Sequence, residues 1–137
     1  MLVLVHTAAR EVLLLERALR PGFWQSVTGS VDYDDEPLER AAARELGEET
    51  GIGAGAGRLT RWNVVYTFEI YPQWRSRFAP GVVHNVEHVF ALQLPMRVAV
   101  RVAPDEHLAF AWLPWREAAA KCFSWSNRDA IVMLGEQ

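Results

Sequence analysis

The chain has 137 residues, half of them hydrophobic, and a formal net charge of −3 at pH 7. This length and composition predict one globular domain, residues 1–137, and exclude a disordered chain. The slight acidity gives no electrostatic reason to bind nucleic acid or a membrane surface. No apolar run approaches the roughly 18 residues of a membrane span. The single cysteine excludes an internal disulfide, and without a signal peptide we expect a cytoplasmic protein.

The first predicted elements are two short apolar runs. Leu2–Val5 and Val12–Leu15 are aliphatic, and Thr7–Arg10 between them suits a turn, so we predict a β-hairpin. The segment that follows, residues 23–31 (FWQSVTGSV), alternates poorly and is rich in small hydrogen-bonding groups. Its Gly29 would let the backbone approach another group closely.

A helix is predicted over Leu38–Glu49, where nearly every residue is a good helix former. Pro37 suits the first turn because its missing N–H would be unpaired there. The acidic residues 34–36 place negative charge at the positive end of the helix dipole. Gly51 suits a left-handed C-cap, which would end the helix.

The apolar stripe of this helix contains two carboxylates. At about 100° per residue, Glu45 and Glu49 lie within roughly 20° of Leu38. Glu48 flanks the stripe, and Arg44 points to solvent. Carboxylates one turn apart repel each other, and burying them unpaired would cost several kcal/mol. The pattern favours a divalent cation such as Mg²⁺ or Mn²⁺, which prefer oxygen ligands. A solvated acidic helix end, or pairing with arginines, is the alternative.

The middle of the chain alternates connectors and strands. Gly53–Gly57 is predicted to be a flexible connector rather than a phosphate cradle, because it follows a helix instead of opening one. Trp62–Tyr71 is aromatic and β-branched and is predicted to be a strand, as is Val82–Leu94. In the loop between them, Arg75 and Arg77 either meet a polyphosphate or are solvated.

The last third of the chain is predicted to contain two further strands and two helices. The strands are Arg97–Val102 and Ala109–Leu113, and the helices are Trp115–Cys122 and Trp125–Leu134. Ser124 is a candidate N-cap for the last helix.

The histidines and the cysteine do not form a metal-binding pattern. His84 and His88 are four residues apart, but in a strand that spacing separates them by roughly 13 Å. A zinc site is therefore not expected. Cys122 has no activating neighbour in the sequence and is predicted to be a buried thiol.

The acidic helix resembles the signature of a known family. Glu36-x7-Arg44-Glu45-Leu46-x-Glu48-Glu49-x-Gly51-Ile52 is similar to the motif of the Nudix hydrolases, Gly-x5-Glu-x7-Arg-Glu-aliphatic-x-Glu-Glu-x-Gly-aliphatic. One residue is extra, since six residues separate Gly29 from Glu36. Either the loop 32–35 carries an insertion, or Asp35 replaces the glutamate. We prefer the insertion, because it keeps Glu36 in register with the helix.

This resemblance implies an α/β fold, the Nudix-type α/β/α sandwich with a mixed β-sheet. It also implies metal-dependent hydrolysis of a diphosphate linked to another group. In this family Glu45 and Glu49 would be the main ligands of Mg²⁺, with Mn²⁺ as the alternative. Glu48 would be a supporting ligand or a proton acceptor. Arg44 would orient the carboxylates through a salt bridge.

Other segments resemble one branch of that family, which hydrolyses 7,8-dihydroneopterin triphosphate in bacterial folate biosynthesis. These segments are residues 23–31, 79–82, 106–108 and 124–128. A glutamate outside the motif often completes the metal site, and the branch implies Glu106 rather than Glu87. The implied reaction releases pyrophosphate and leaves the monophosphate. The implied substrate contacts are Arg17, Thr28, Phe68, Glu69, Ile70, Tyr71 and Ser124.

The composition gives modest support for a pterin substrate. A flat heterocycle needs an aromatic or apolar slot with a few polar partners. The candidates for stacking and pairing are Trp24, Phe68, Tyr71, Trp125, Gln25 and Asn127. At least half of the aromatic residues are expected to belong to the core instead.

Two other functions stay open at this point. One is a Nudix hydrolase that acts more broadly on nucleoside or deoxynucleoside triphosphates. The other is a non-catalytic module that binds a nucleotide, which should lack parts of the acidic motif. Here Glu45, Glu48 and Glu49 are all present, which favours catalysis. No protein partner is implied.

Overall fold

The computed structural model describes residues 1–30, 36–70, 72–73, 81 and 84–137. A mixed β-sheet lies between helices. Its strands are β1 (Leu2–Thr7), β2 (Glu11–Arg17), β3 (Trp24–Gln25), β4 (Val27–Thr28), β5 (Arg58–Glu69), β6 (His84–Leu94) and β7 (His107–Pro114). The helices are α1 (Leu38–Thr50), α2 (Trp115–Lys121) and α3 (Trp125–Gly135), with a 3₁₀ turn at Ala54–Ala56. These elements confirm the predicted α/β class.

Strand β1 is the centre of the sheet. It runs antiparallel to β2 and β4 and parallel to β6, which makes the sheet mixed as predicted. The order along the main path is β3-β2-β1-β6-β5, and β7 pairs with β2. Every residue of β1 is buried. A strand that is apolar on both faces needs cover on both faces, and the helices provide it.

Alternate residues of β1 belong to two different cores. Val3 packs with Leu46 of α1 on one face of the sheet. Leu4 packs with Ile131 of α3 on the other face. The two clusters confirm the α/β/α layering, because each face of the sheet has its own helical cover.

Helix α1 ends where the sequence predicts. Gly51 adopts a left-handed conformation with φ of 73°, and its N–H donates to the Gly47 carbonyl. Pro37 lies just before the helix with extended backbone. On the inner face of α1, Leu46 is buried. Glu49, three residues further along the helix on the same face, is buried too.

Several other predicted elements are confirmed with shifted bounds. The first hairpin forms, with the Arg10 N–H donating to the Thr7 carbonyl at the turn. Strand β5 begins at Arg58 rather than Trp62, and the connector before it contains the 3₁₀ turn. Ser124 caps α3 by accepting the Asn127 N–H at 3.5 Å.

Several sequence predictions concern residues outside the described ranges. They are the ends of two predicted strands at Tyr71 and Val82, the two loop arginines Arg75 and Arg77, and the acidic residues 34–35.

The predicted strand Arg97–Val102 is wrong, because these residues form no ladder. Val98, Val100 and Val102 still pack on the α1-side core, so alternate side chains turn inward as they would in a strand. The backbone is bound from elsewhere instead. The Arg101 N–H donates to Thr50, and the Val98 carbonyl accepts the indole N–H of Trp112. Alternating burial therefore arose without strand pairing.

None of the helices in the described parts of the chain is long and apolar enough to cross a membrane.

We expect Leu46→Ala to lower the free energy of unfolding by about 2–5 kcal/mol, because it opens a cavity under α1 in a fully buried position. Arg40→Ala, on the exposed face of the same helix, is the matched control and should change it by less than about 0.5 kcal/mol. Urea denaturation monitored by tryptophan fluorescence measures both. A loss below about 1 kcal/mol for Leu46→Ala would contradict the anchoring role.

Candidate active site

The most buried acidic group in the described residues is Glu49, in the last turn of α1. Only 4% of the surface of Glu49 is exposed to solvent. The backbone N–H of Thr28 donates to its Oε2 at 3.2 Å. Burial, followed by the neighbouring charges of Glu45 and Glu106, raises the pKa of Glu49 to about 9. Without a cation, this group holds a proton at neutral pH.

Glu45 lies one turn before Glu49 and is packed against the backbone of the preceding segment. Burial is also the main cause that raises the pKa of Glu45, while its contact with Arg44 lowers it. A Cβ added to Gly29 would overlap the Glu45 side chain. Glycine at this position therefore lets the chain run beside the carboxylate, as the sequence predicts.

Arg44 holds the outer carboxylates of the cluster. Its guanidinium donates to both oxygens of Glu36, at 3.1 and 3.2 Å, and to Glu45 at 3.0 Å. It also donates to the Ser30 carbonyl at 2.9 Å and reaches Glu48 at 3.5 Å. The prediction that Arg44 points to solvent is wrong, because these acceptors draw the side chain back over the helix. The arginine pairing left open by the sequence does occur at Glu45, and the ion pairs among the described residues include none at Glu49.

The bidentate pair with Arg44 also bears on the extra loop residue. It gives Glu36 a place in the cluster, in register with the helix. The competing candidate, Asp35, lies outside the described residues.

Glu106, just before β7, approaches Glu49 from the other side. One ligand atom from each of Glu49, Glu106 and His107 lies within 4.8 Å of the others. His107 is 2% exposed, and its Nδ1 has no hydrogen-bond partner among the described residues. Sequence reasoning missed His107. The only signal for it was its position next to Glu106.

Two predicted metal-site residues stand apart from this group. Glu48 lies at the rim of the cluster, with a side chain that is 56% exposed. Glu87, the alternative third ligand, lines a separate cavity beside the cluster.

That cavity has a volume of about 480 Å³. Six of the predicted substrate contacts line it, namely Arg17, Thr28, Phe68, Glu69, Ile70 and Ser124. The seventh, Tyr71, lies outside the described residues. Lining residues that the sequence did not single out as contacts include Met1, Ser30, Asn85, Glu87, Phe123 and Ser126. They were missed because an isolated polar or aromatic residue carries no local signal for facing a cavity.

The candidates for recognising a ring divide between cavity and core. Trp125 lines the cavity, is 55% exposed, and packs edge-on against Tyr66 at 5.5 Å between ring centroids. Gln25 also lines the cavity. Trp24 packs against the core instead. Asn127 lines the cavity as well, but it is buried and both ends of its amide are bound to Ser26, so it holds the strand segment in place.

Comparison with known proteins agrees with this arrangement. The model of the NUDIX domain matches residues 1–133. The chain belongs to the Nudix family and is a Nudix hydrolase. Dihydroneopterin triphosphate diphosphatase of Escherichia coli K12 is 44% identical over 133 residues, which cover 96% of this chain and 87% of that protein. The protein of the same name from Haemophilus influenzae is 35% identical and covers 95% and 82%.

The fold of this Nudix hydrolase is also similar to a solved structure. The structure of the Escherichia coli dihydroneopterin triphosphate pyrophosphohydrolase matches with a TM-score of 0.85 and 42% identity, covering 96% of this chain and 90% of that one. Nudix hydrolases generally use a divalent metal. The residues present fit such an ion, since a buried carboxylate, a second carboxylate and one imidazole nitrogen of His107 converge.

We expect Gly29→Ala to weaken Mg²⁺ binding by about tenfold or more, because the new methyl group displaces the Glu45 carboxylate. The fold should persist, since the overlapping atoms belong to the far end of a flexible side chain. Gly55→Ala, where a Cβ would meet nothing within 4 Å, is the matched control. Isothermal titration with Mg²⁺ measures both, and equal affinities in the two variants would contradict the close-packing argument.

We expect the stability of the metal-free protein to fall with pH because of Glu49. Its folded pKa of about 9 exceeds the ordinary value of 4.5. The stabilisation is therefore fully present below the ordinary value and is lost as pH rises through about 9. In EDTA, the wild type should lose about 2.7 kcal/mol more than Glu49→Gln between pH 6 and pH 8. Parallel stability profiles from urea denaturation would refute the raised pKa.

Proposed function

We propose that this protein hydrolyses 7,8-dihydroneopterin triphosphate to the monophosphate and pyrophosphate, with Mg²⁺ as the cofactor and Mn²⁺ as its substitute. One observation carries the proposal. A cavity of about 480 Å³ extends from the backbone beside the carboxylate cluster to an exposed tryptophan. It occurs in a chain that is 44% identical to a diphosphatase named for this substrate.

The phosphate end of the cavity is at Thr28 and Gly29, which touch the carboxylate cluster. Glu45, Glu49 and Glu106 would hold the metal. Mg²⁺ held there would neutralise phosphate charge and make a water molecule more acidic. The oxygen ligands of the cluster suit this ion.

The remaining charged groups of the cluster have supporting roles in this proposal. Arg44 is a positioning residue, because it binds three glutamates and keeps Glu45 in place. Glu48 is exposed and contacts Arg44 at 3.5 Å. It serves as a supporting ligand or accepts a proton from the attacking water. Water adds to phosphorus, and pyrophosphate leaves.

Arg17 supplies positive charge on the cavity wall. Its guanidinium lies 5.6 Å from the centroid of the Phe123 ring, and this cation–π contact stabilises the position of the side chain. A fixed guanidinium suits phosphate oxygens, because its donors match them in pairs. We assign Arg17 to the triphosphate.

Trp125 and Phe68 offer aromatic faces for the pterin at the other end. Trp125 is held by Tyr66, whose hydroxyl donates to Asp129 at 2.6 Å. A supported and exposed indole can stack on a flat ring at little entropic cost.

The reaction fits a reducing compartment, since the only cysteine is free, and we assign it to the cytoplasm.

The proposal predicts a substrate preference. With Mg²⁺, kcat/KM for 7,8-dihydroneopterin triphosphate should exceed the values for dATP, dCTP and dGTP by about tenfold or more, because the ring end adds binding to the shared triphosphate. Pyrophosphate release measures all four. Glu49→Gln, prepared in the same way, controls for contaminating phosphatases. A clear preference for any one nucleotide would reject the pterin triphosphate as the substrate.

A further inference from the structure

One carboxylate in the cavity has no part in the phosphate chemistry. Glu87 on β6 pairs in register with Tyr66 of β5 and lines the cavity half-buried. Its side chain lies on the same face of β6 as that of Val89, two residues further on, which packs in the core under α2 and α3. Glu87 therefore lies on the α3 side of the sheet, whereas Glu49 is carried by α1 on the other side.

A chain of two serines fixes one oxygen of Glu87. Ser126 Oγ donates to Glu87 Oε1 at 2.9 Å. Because a hydroxyl has one proton, the contact of 3.0 Å between Ser126 Oγ and Ser124 Oγ must use the proton of Ser124. Both hydrogens therefore point along the chain toward the carboxylate. The N-terminus of α3, where the serines lie, further stabilises the negative charge.

The rest of the Glu87 carboxylate is unused within the described part of the chain. Oε2 has no hydrogen-bond partner there, and Oε1 keeps a second lone pair. A half-buried acceptor of this kind needs donors. The Met1 ammonium on the wall of the same cavity attracts Glu87 but donates its hydrogen bond to the Gly29 carbonyl. A triphosphate offers only negative oxygens, which Glu87 repels, whereas the ring of the substrate offers N–H donors.

We propose that Glu87 recognises the pterin ring by accepting hydrogen bonds from its N3–H and its 2-amino group. These two donors are adjacent on one edge of the ring, and a carboxylate offers two oxygens at matching spacing. Trp125 next to Ser126 would cover a face of the ring, while Glu87 takes its edge. The inference rests on the proposed function and adds the residue that selects the ring.

The same geometry selects against adenine and cytosine but not against guanine, whose N1–H and 2-amino group form the same donor pair as the pterin. Adenine and cytosine present one donor beside one acceptor on the corresponding edge, so a carboxylate gains one hydrogen bond and meets one repulsion. Glu87 therefore contributes to the pterin complex but not to binding of dATP or dCTP. Its effect must depend on the substrate, which a purely structural role at the start of α3 would not produce.

The test compares Glu87→Gln with the wild type on 7,8-dihydroneopterin triphosphate and on dATP. Glutamine keeps the shape and the contact with Ser126 but replaces one acceptor by a donor. We expect kcat/KM for the pterin substrate to fall about 10- to 100-fold, mainly through KM. Turnover of dATP should change less than threefold. Glu117→Gln, exposed on α2, is the matched control and should behave as the wild type on both substrates.

A second variant tests the same role of Glu87 in case circular dichroism shows that Glu87→Gln folds poorly. Ser126→Ala frees Glu87 to turn away and should reduce pterin turnover about three- to tenfold, again with little effect on dATP. Equal losses on both substrates, or no loss on the pterin substrate, would overturn the role of Glu87. A wild-type protein that cleaves dATP but not the pterin substrate would instead refute the proposed function, and the inference with it.

Discussion

The structure depends on carboxylates that are held together inside the protein. Glu49 lies on the inner face of α1. It cannot turn out to solvent, because Leu46, three residues earlier on the same face, is buried in the core. The Thr28 N–H and the approach of Glu106 then fix its environment. A group in this position must carry a proton or share a cation. The raised pKa of Glu49 expresses this constraint, which a bound metal ion would also satisfy.

Counter-charge is distributed unevenly over the cluster. Arg44 binds the outer carboxylates, those of Glu36, Glu45 and Glu48, but makes no contact with Glu49 that the described hydrogen bonds include. If an arginine neutralised Glu49 as well, a cation would gain little by binding. Arg44 therefore reduces repulsion among the outer groups while leaving the inner one available to a metal.

The cavity joins elements from opposite faces of the sheet. Thr28 and Gly29 on one side contact carboxylates carried by α1, while Ser124 and Trp125 on the other side begin α3. A substrate with a charged tail and a flat polar ring suits such a division, because the two ends require opposite surroundings. Negative charge at Glu87 is compatible with this arrangement only at the ring end.

Local pattern was sufficient for much of the site. Good helix formers and Gly51 defined α1, the wheel position placed Glu45 and Glu49 inward, and Ser124 marked the start of α3. Each of these features depends on residues within one or two turns of each other. The acidic motif also led to the family, and the segments around it led to the branch. Such information is complete in the sequence, because helix geometry fixes which side chains share a face.

Only the tertiary structure decided the contacts between distant segments. His107 joins Glu49 because β7 brings the end of the loop against α1, and Arg44 turns back because Glu36 and Ser30 meet it there. The alternation at 97–102 predicted a strand, but covering a core gives the same alternation without a ladder. The sequence by itself determined the acidic helix and which of its carboxylates face inward, through short-range periodicity. Which side chains complete the site depends on how the sheet and helices pack, and that packing leaves no periodic signal.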